Sequence, residues 1–335
     1  MISVVVPAYN EEAGIGQLYS RVVGAAAAWR EEYELLVVDD GSRDRTFELL
    51  RGLAERDPRL KILSFTRNFG HQAAVTAGLV HASGDIVAVI DADLQDPPEE
   101  LLGFIQKCRE GYDVVYAIRA KRKESALKRA AYHVYYRVLR YLANVDIPLD
   151  AGDFCVISRR ALDTLNALPE RNRFVRGMRT WIGYRQVGMA YERQARAAGE
   201  PKYTLRSLVN LALDGVVNFS YKPLRMFGIL GMATGSLALL ASVVFLFQYL
   251  TDATILGYNP RASPGWTSLT LMILIFAAIQ LFGIGILGEY IGRLFEETKR
   301  RPPYLVQSMV NFADPTPSYP GGRYGEAATT SRGSV

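Results

Sequence analysis

Two aspartates separated by one residue, Asp91 and Asp93, are the most informative chemical groups in the chain. They stand in the segment VAVIDADLQDPPE, where an apolar run typical of a buried strand precedes them and a Pro-Pro pair indicates a helix start after them. Two such carboxylates can approach one hard cation, and Mg²⁺ or Mn²⁺ leaves positions for substrate phosphates. Gln95 is a candidate for a further oxygen, and Asp96 is expected to cap the helix. The pattern predicts a metal site, with a plain turn as the alternative.

Polar residues also follow the two preceding apolar runs. The segment PAYNE, from Pro7 to Glu11, comes after the first run, and Asp39-Asp40 comes after the second. The carboxyl ends of parallel strands meet at one edge of a sheet, where ligands bind, so all three polar groups are expected to lie together. Asp39 and Asp40 predict recognition of a nucleotide base or ribose, with an Asp-Gly turn as the alternative.

The elements that position these groups alternate between strand and helix. This alternation predicts an α/β fold with a parallel sheet. The predicted strands are residues 2–6, 34–38, 61–65, 86–90 and 114–117. The predicted helices are residues 12–30, 44–56, 72–81 and 98–109. Neither a G-x-G-x-x-G after a strand nor a G-x-x-x-x-G-K-[ST] occurs, so dinucleotide-binding and P-loop proteins are disfavoured.

Composition excludes several classes of protein. Hydrophobic residues make up 49% and charged residues 22% of the 335 residues, which excludes a chain that is disordered as a whole. The two cysteines, Cys108 and Cys155, are expected to be buried apolar residues, and without a C-x-x-C pair they exclude a structural zinc site. The net charge of +5 indicates an anionic partner, such as a phosphorylated substrate, a lipid headgroup or nucleic acid.

The chain changes character at about residue 205. Residues 1–205 have the composition of a soluble domain, whereas residues 223–250 and 266–292 form two apolar runs. A membrane span takes about 20 residues, so both runs predict transmembrane helices, and a pair of buried core helices is the alternative. Basic outer flanks predict that both ends are cytoplasmic and that the loop 251–265 is external. Residues 206–222 predict an amphipathic helix at the membrane surface, and 293–335 a cytoplasmic tail.

The start of the chain lacks the features of a signal peptide. Met1 leads directly into a short apolar run and Pro7, without a basic flank. The first domain is therefore expected to be cytoplasmic. Residues 119–140 are rich in Lys, Arg and Tyr, with Glu124 the only acidic residue. This pattern favours a membrane surface, with a solvated basic face or nucleic-acid binding as alternatives.

Several segments together resemble the family 2 glycosyltransferases of GT-A fold. They are VVVPAYNEE, VVDDGSRDRT, NFGHQAAVTAGL, VIDADLQDPPE and DAGDFCVISRRAL. Within that family the polyprenyl-phosphate glycosyltransferases are most similar, including dolichol-phosphate mannose synthase and above all the bactoprenol glucosyltransferases. The segments LPERNRFVRGMRTWIGYRQ and QLFGIGILGEYIGRLFEETKRRPPY carry this closer resemblance. It covers about residues 1–306, and the tail from Asn311 to Val335 is expected to be disordered.

The resemblance implies a role for individual residues. The nucleotide-binding positions are Pro7, Tyr9, Glu11 and Asp40. The metal-and-diphosphate motif is Asp91 and Asp93, with Gln95 beside it. Asp153 in DAGDF matches the position of a catalytic base. The positions that contact phosphates or the acceptor are Arg119, Arg129, Arg196 and Lys202. His71 is expected either to lie near the donor or to be structural.

The resemblance also implies the reaction. A UDP-sugar, with glucose the first candidate, donates its sugar to a polyprenyl phosphate with inversion, with Mg²⁺ or Mn²⁺ as cofactor. The second pKa of a phosphate monoester is near 6, so the acceptor is largely ionised at pH 7. Asp153 is therefore expected either to act as a base or to orient a cation or the sugar hydroxyls. The implied setting is a tetramer in the inner (plasma) membrane, with no nucleic acid.

Other functions remain open at this point. They are transfer of a different donor sugar and a non-catalytic membrane anchor or sensor. A processive polysaccharide synthase is disfavoured because the chain lacks a Q-x-x-R-W motif.

Overall fold

All five predicted strands are present in the computed structural model, which describes residues 1–119, 151–171, 173–191, 222–251, 265–314 and 316–320. The strands are β1 (Ile2–Ala8), β2 (Tyr33–Asp39), β3 (Leu60–Phe65), β4 (Ile86–Val89), β5 (Val114–Arg119), β6 (Ala151–Ser158), β7 (Gln186–Tyr191) and β8 (Val306–Val310). The helices are α1 (Ile15–Ala26), α2 (Thr46–Ala54), α3 (His71–His81), α4 (Leu101–Arg109), α5 (Arg159–Ala167), α6 (Val175–Trp181), α7 (Lys222–Thr251) and α8 (Trp266–Thr298).

The strands form one mixed sheet in the order β7-β5-β6-β4-β1-β2-β3-β8. The central four strands, β4-β1-β2-β3, are parallel, as predicted. The prediction of a wholly parallel sheet is wrong, because β6 pairs antiparallel with both β4 and β5, and β8 pairs antiparallel with β3. The domain is a Rossmann-like α/β fold whose antiparallel strands bring distant segments to the same edge of the sheet.

The central strands form because both of their faces are covered. Every residue of β1 is buried, which explains its continuous apolar run. Helix α1 packs on the sheet through Ile15, Leu18 and Val22, which lie three and four residues apart on one face. Helix α3 approaches β1 so closely that a Cβ on Gly78 would lie 2.1 Å from Val5 Cγ1. Only glycine permits this separation.

The carboxyl ends of β1 and β4, neighbours in the sheet, are where the strand order predicts a crevice. Their ladder ends at the pair Val5–Val89, followed by a hydrogen bond of 3.0 Å from the Ile90 N–H to the Val5 carbonyl. Pro7 lies two residues after Val5 and faces the same edge of β1. This part of the edge is beyond the ladder with β4, so a proline, which lacks an N–H, costs no strand hydrogen bond there. After β1 the chain adds β2 and β3 on one side of β1, and it then crosses over to add β4 on the other side of β1. This is the topological switch point at which α/β sheets bind ligands.

The chain returns to the first domain after α8. Leu63 of β3 lies opposite Met309 of β8. Tyr304 is fully buried, with its ring stacked on Phe65 at a centroid distance of 5.0 Å. Its hydroxyl donates to the Ser318 carbonyl at 2.6 Å. We call residues 304–314 and 316–320 the C-terminal strap.

Disorder was expected from Asn311 onward. Residues 311–314 and 316–320 of the strap are instead held against the domain, so this expectation is wrong for them. The Asn311 side chain donates to the carbonyls of Ala54 and Leu60, both at 2.9 Å. The Ser318 N–H donates to His81 Nε2 at 3.1 Å. These hydrogen bonds, together with the Tyr304 ring, compensate for a composition that favours disorder by itself.

The chain divides into two compact units. The first comprises Met1–Asn218 and Arg300–Val335, and the second comprises Phe219–Lys299. In the second unit, α7 and α8 cover the two predicted spans. Among the described residues, one segment, Ile275–Thr298, is long and apolar enough to cross a membrane, with a mean hydropathy of 1.6. The apolar stretch Leu224–Leu237 is shorter. The two predicted spans are therefore not both confirmed, and most of residues 206–222 and 251–265 lie outside the described part.

Candidate active site

Hydrogen bonds tie the loop after β1 to the loop after β2. The Asn10 side-chain carbonyl accepts the Arg43 N–H at 2.8 Å, and the Asn10 N–H donates to Ser42 Oγ at 3.0 Å. Asn10 has a φ of 54°, a left-handed value that asparagine tolerates, and it turns the chain sharply after β1. Tyr9 and Glu11, two of the predicted nucleotide-binding residues, flank this turn and are half-buried.

Asp39 and Asp40 are both buried and both accept hydrogen bonds. Asp39 accepts the Ser64 hydroxyl at 2.7 Å. Asp40 accepts the Phe69 N–H at 2.7 Å and the Gly70 N–H at 3.0 Å. Burial raises the pKa of Asp40, although the two backbone donors act in the opposite direction. Asp40 thus holds the loop that leads into α3 and sets where that helix begins.

Asp91 and Asp93 follow β4 on a strained loop. Leu94, buried beside them, has a φ of 59°, which is unusual for a leucine and persists only where surrounding contacts enforce it. The Gln95 N–H donates to Asp93 Oδ1 at 3.1 Å. The Asp91 side chain is 28% exposed, yet its Oδ1 atom is buried and accepts no hydrogen bond from the described residues. A buried oxygen of this kind is suited to a cationic ligand.

The antiparallel strand β6 brings Asp153 to the same place. Val89 of β4 pairs with Cys155 of β6. Because the two strands are antiparallel, continuing this register by two residues places Asp153 opposite Asp91. His71, the first residue of α3, lies between them. Its Nε2 atom is 3.2 Å from Asp153 Oδ2 and 3.8 Å from Asp91 Oδ1. Residues from two strands and one helix therefore meet at the crevice.

Helix α6 completes the cluster with an arginine. Arg176 Nη2 lies 3.2 Å from Asp153 Oδ2, and the Arg176 side chain is 26% exposed. Gln72 connects α3 to α6, because its Oε1 accepts the Val175 N–H at 3.0 Å while its Nε2 lies 3.5 Å from Asp153 Oδ2. Three donors thus converge on one oxygen of Asp153.

The charges in this cluster shift one another's pKa values. Burial raises the pKa of Asp91 to about 6. Burial lowers the pKa of His71, but its hydrogen bond to Asp153 and the charges of both aspartates outweigh this and raise it to about 9. Burial also acts to raise the pKa of Asp153, but Arg176 and then His71 hold it well below its usual range. Asp153 is accordingly a stable carboxylate and a very weak base.

Residue patterns alone did not single out Arg176 or Gln72. Arg176 was present only within a longer segment that carries the family resemblance, and no metal or nucleotide motif marks either residue. The available signal was the spacing of Arg176 and Arg179, which are three residues apart on a helix and so share a face. The fully buried Arg179 adds positive charge near Asp153 and Cys155.

One other prediction differs from the structure. Asp96 is not a helix cap, because the turn that precedes α4 begins after Pro97, and the Asp96 carboxylate accepts the Tyr191 hydroxyl. Arg119 ends β5, but its side chain lies outside the described part. The other predicted phosphate-binding residues, Arg129, Arg196 and Lys202, also lie outside it. Among described residues, no group of three His, Cys, Asp or Glu side chains forms a metal site made by the protein alone.

Comparison with known proteins identifies the family. The model of glycosyl transferase family 2 matches residues 3–165. The uncharacterised glycosyltransferase YkcC of Bacillus subtilis is 46% identical over 309 residues, covering 91% of this chain and 93% of that protein. The chain belongs to glycosyltransferase family 2. The protein is therefore a glycosyltransferase, and its Rossmann-like domain has the GT-A fold.

Other relatives align over nearly their whole length. The prophage bactoprenol glucosyl transferase homolog of Escherichia coli is 39% identical over 311 residues, which is 92% of this chain and 99% of that protein. The bactoprenol glucosyl transferase of Shigella phage SfX is 40% identical over 309 residues, with the same two coverages. Among solved structures, glucosyl-3-phosphoglycerate synthase from Mycobacterium tuberculosis is 23% identical, covers 65% of this chain and 77% of that one, and has a TM-score of 0.42. With so low a TM-score, no residue roles are carried over from that structure.

Proposed function

We propose that this glycosyltransferase transfers a sugar, with glucose the first candidate, from a UDP-sugar to a polyprenyl phosphate. The observation that carries the proposal is that Asp91 of the Asp-x-Asp motif and Asp153 meet the cations His71 and Arg176 at the switch point of the sheet. A reaction between a nucleotide diphosphate and a phosphate needs carboxylates for a metal and fixed positive charge for the acceptor. Relatives named bactoprenol glucosyl transferases support this choice of acceptor.

The residues at the end of β4 fit a divalent metal. Asp91 and Asp93 offer hard carboxylate oxygens, and the buried, unsatisfied Oδ1 of Asp91 is the kind of atom that Mg²⁺ or Mn²⁺ would complete. Asp91 and Asp93 would hold the ion, with Gln95 beside them and with donor oxygens filling further positions. When bound, the ion neutralises charge on the leaving diphosphate.

The nucleotide is proposed to lie over the loops that follow β1 and β2. Tyr9 and Glu11 stand on the turn that Asn10 makes, and Pro7 lies near the end of β1 beneath them. Asp40 would contribute by fixing the neighbouring loop through the Phe69 and Gly70 N–H groups. The base and sugar would then extend along the crevice towards Asp91.

The transfer itself needs little acid–base chemistry. An oxygen of the acceptor phosphate attacks the anomeric carbon and forms the new C–O bond. The bond from that carbon to the diphosphate oxygen breaks, and the nucleoside diphosphate leaves with the electron pair. Attack opposite the leaving group inverts the configuration. Because the second pKa of the acceptor is near 6, its oxygen is already ionised at pH 7 and no proton has to be removed.

A lipid acceptor fits a protein held at a membrane. We propose two spans, α7 and α8, with the catalytic domain and both flanks in the cytoplasm and the protein in the plasma membrane as a tetramer. Large apolar side chains along both helices support the spans, including Leu237, which is 68% exposed, and Phe282, which is 69% exposed. Side chains so exposed are stable in lipid rather than in water.

The reaction can be tested with the purified full-length protein in detergent. It is mixed with undecaprenyl phosphate, Mn²⁺ and one radiolabelled donor at a time: UDP-glucose, UDP-galactose, UDP-N-acetylglucosamine or GDP-mannose. We expect label in the organic-extractable lipid from UDP-glucose, lost on addition of EDTA, with the anomeric configuration inverted by NMR. Label from another donor alone would change the sugar that we assign but would support the same type of reaction. No lipid label from any donor, with the protein intact, would refute the proposal.

A further inference from the structure

The acceptor requires a cation that the predicted metal and nucleotide residues do not supply. Its phosphate monoester carries nearly two negative charges at pH 7 and must approach a donor diphosphate that is also negative. A fixed positive charge close to Asp91 and Asp93 would offset this repulsion. Within the described residues, His71 Nε2 lies 3.8 Å from Asp91 Oδ1, and Arg176 joins this cluster through Asp153, whose Oδ2 lies 3.2 Å from both His71 Nε2 and Arg176 Nη2.

Two contacts fix Arg176 and its helix in the site. Its Nη2 lies 3.2 Å from Asp153 Oδ2, on β6. Its helix is tied to α3 by the hydrogen bond of 3.0 Å between the Val175 N–H and Gln72. The side chain nevertheless stays 26% exposed, so a ligand can reach it. A guanidinium has five N–H donors in a planar fork, so it can contact a carboxylate and a phosphate at the same time.

Asp153 has the surroundings of a residue that positions a cation. Its Oδ2 is close to Arg176 Nη2, His71 Nε2 and Gln72 Nε2, and the side chain is only 12% exposed. A base must present a lone pair to the group that loses a proton, and this oxygen faces three donors instead. The low pKa of Asp153 agrees with that geometry.

We propose that Arg176 binds the phosphate of the lipid acceptor and that Asp153 positions Arg176 rather than accepting a proton. This inference rests on the proposed transfer to a polyprenyl phosphate and assigns one further residue that recognises the acceptor, in addition to the predicted Arg119, Arg129, Arg196 and Lys202. Arg176 would hold the phosphate with one oxygen aimed at the anomeric carbon. The Asp153 carboxylate keeps the guanidinium from turning towards the donor diphosphate.

The first test measures the KM of each substrate separately in the full-length protein. Arg176→Ala is expected to raise the KM for undecaprenyl phosphate about tenfold or more, since it removes a charge-assisted hydrogen bond, with the donor KM within about twofold. Arg176→Lys is expected to recover part of the loss, because a lysine keeps the charge without the fork. Arg185→Ala is the matched control, because Arg185 is an exposed arginine that stacks on Tyr112 at 4.5 Å.

The second test separates positioning from base catalysis. If Asp153 acts through Arg176, Asp153→Asn raises the acceptor KM, and the double variant Asp153→Asn/Arg176→Ala is no worse than Arg176→Ala alone. If Asp153 is a base, Asp153→Asn lowers kcat at saturating acceptor. The losses of activity in the two single variants then multiply in the double variant. UDP binding and the melting temperature check that each variant folds.

The outcomes are distinguishable from failure of the proposed reaction. Wild-type protein that labels no lipid from any donor overturns both proposals. Wild-type protein that transfers sugar, together with an unchanged acceptor KM in Arg176→Ala, overturns this inference alone. If Arg176→Ala shows no measurable transfer, binding of radiolabelled undecaprenyl phosphate decides. Lost lipid binding with retained UDP binding supports the assignment, and retained lipid binding refutes it.

Discussion

Replacing Tyr304 with alanine would test whether the C-terminal strap is an integral part of the catalytic domain. The side chain is fully buried, stacks on Phe65 at 5.0 Å and on Tyr319 at 5.1 Å, and donates a hydrogen bond to the Ser318 carbonyl. Removing a buried aromatic ring costs about 3 to 5 kcal/mol. For a domain of this size each kcal/mol corresponds to about 2 to 4 °C, so we expect the melting temperature to fall by roughly 6 to 20 °C.

The assay is thermal denaturation of the purified full-length protein in detergent, followed by the fluorescence of Trp29, Trp181 and Trp266. Tyr304→Phe keeps the ring and loses only the hydrogen bond, so about 1 kcal/mol is expected. Leu305→Ala is the matched control, because this neighbouring side chain is 46% exposed and should change stability by less than about 0.5 kcal/mol. A Tyr304→Ala melting temperature within 2 °C of wild type, on the order of 0.5 kcal/mol, would refute the packing described for the strap.

Three further perturbations test two buried contacts and the proposed metal site. Glu34→Gln is expected to cost about 1 to 3 kcal/mol at pH 7, because the buried Glu34 carboxylate accepts Lys61 Nζ at 2.6 Å. Burial acts to raise the pKa of Glu34, but the hydrogen bonds from Lys61, Ser3 and Ser83 together outweigh it and lower the pKa. The stabilisation is therefore present above pH 4.5 and disappears at lower pH, and an equal melting difference at pH 7 and pH 3.5 would contradict this. Gly78→Ala is expected to cost about 1 to 3 kcal/mol in urea unfolding, whereas Gly52→Ala, where a Cβ meets nothing within 4 Å, should not; equal effects would contradict the close approach of α3. Asp93→Asn is expected to reduce sugar transfer about 100-fold or more with an unchanged melting temperature, and activity above about one-tenth of wild type would remove Asp93 from the metal site.

Local sequence patterns were sufficient for the parallel core. The apolar runs of β1 to β4 reflect burial on both faces, and this signal can be read from the composition of each strand alone. The order of polar residues after β1, β2 and β4 then followed, because parallel strands place their carboxyl ends at one edge. Asp91 and Asp93 could be predicted for this reason.

The partners of those aspartates were not predictable in the same way. Asp153 reaches Asp91 only because β6 runs antiparallel to β4, and no residue pattern in β6 states its direction. The tendency of a segment to form a strand is a local property, whereas the direction of that strand in the sheet depends on the connections that precede it. The strap is a similar case, since Asn311 hydrogen-bonds the Ala54 carbonyl across 257 residues.

The sequence by itself determined the Rossmann-like α/β class, the carboxylates at the end of β4 and the membership of a glycosyltransferase family. Periodicity and residue type carry the fold class and the carboxylates because they report on neighbours within a few residues, whereas the family came from the resemblance of whole segments. Only the tertiary structure decided that Asp153 faces His71 and Arg176, that Asp40 holds the loop before α3, and that the chain returns to β3. These contacts depend on how the whole chain folds back, since His71 and Asp153 are 82 residues apart and Gln72 and Val175 are 103 apart.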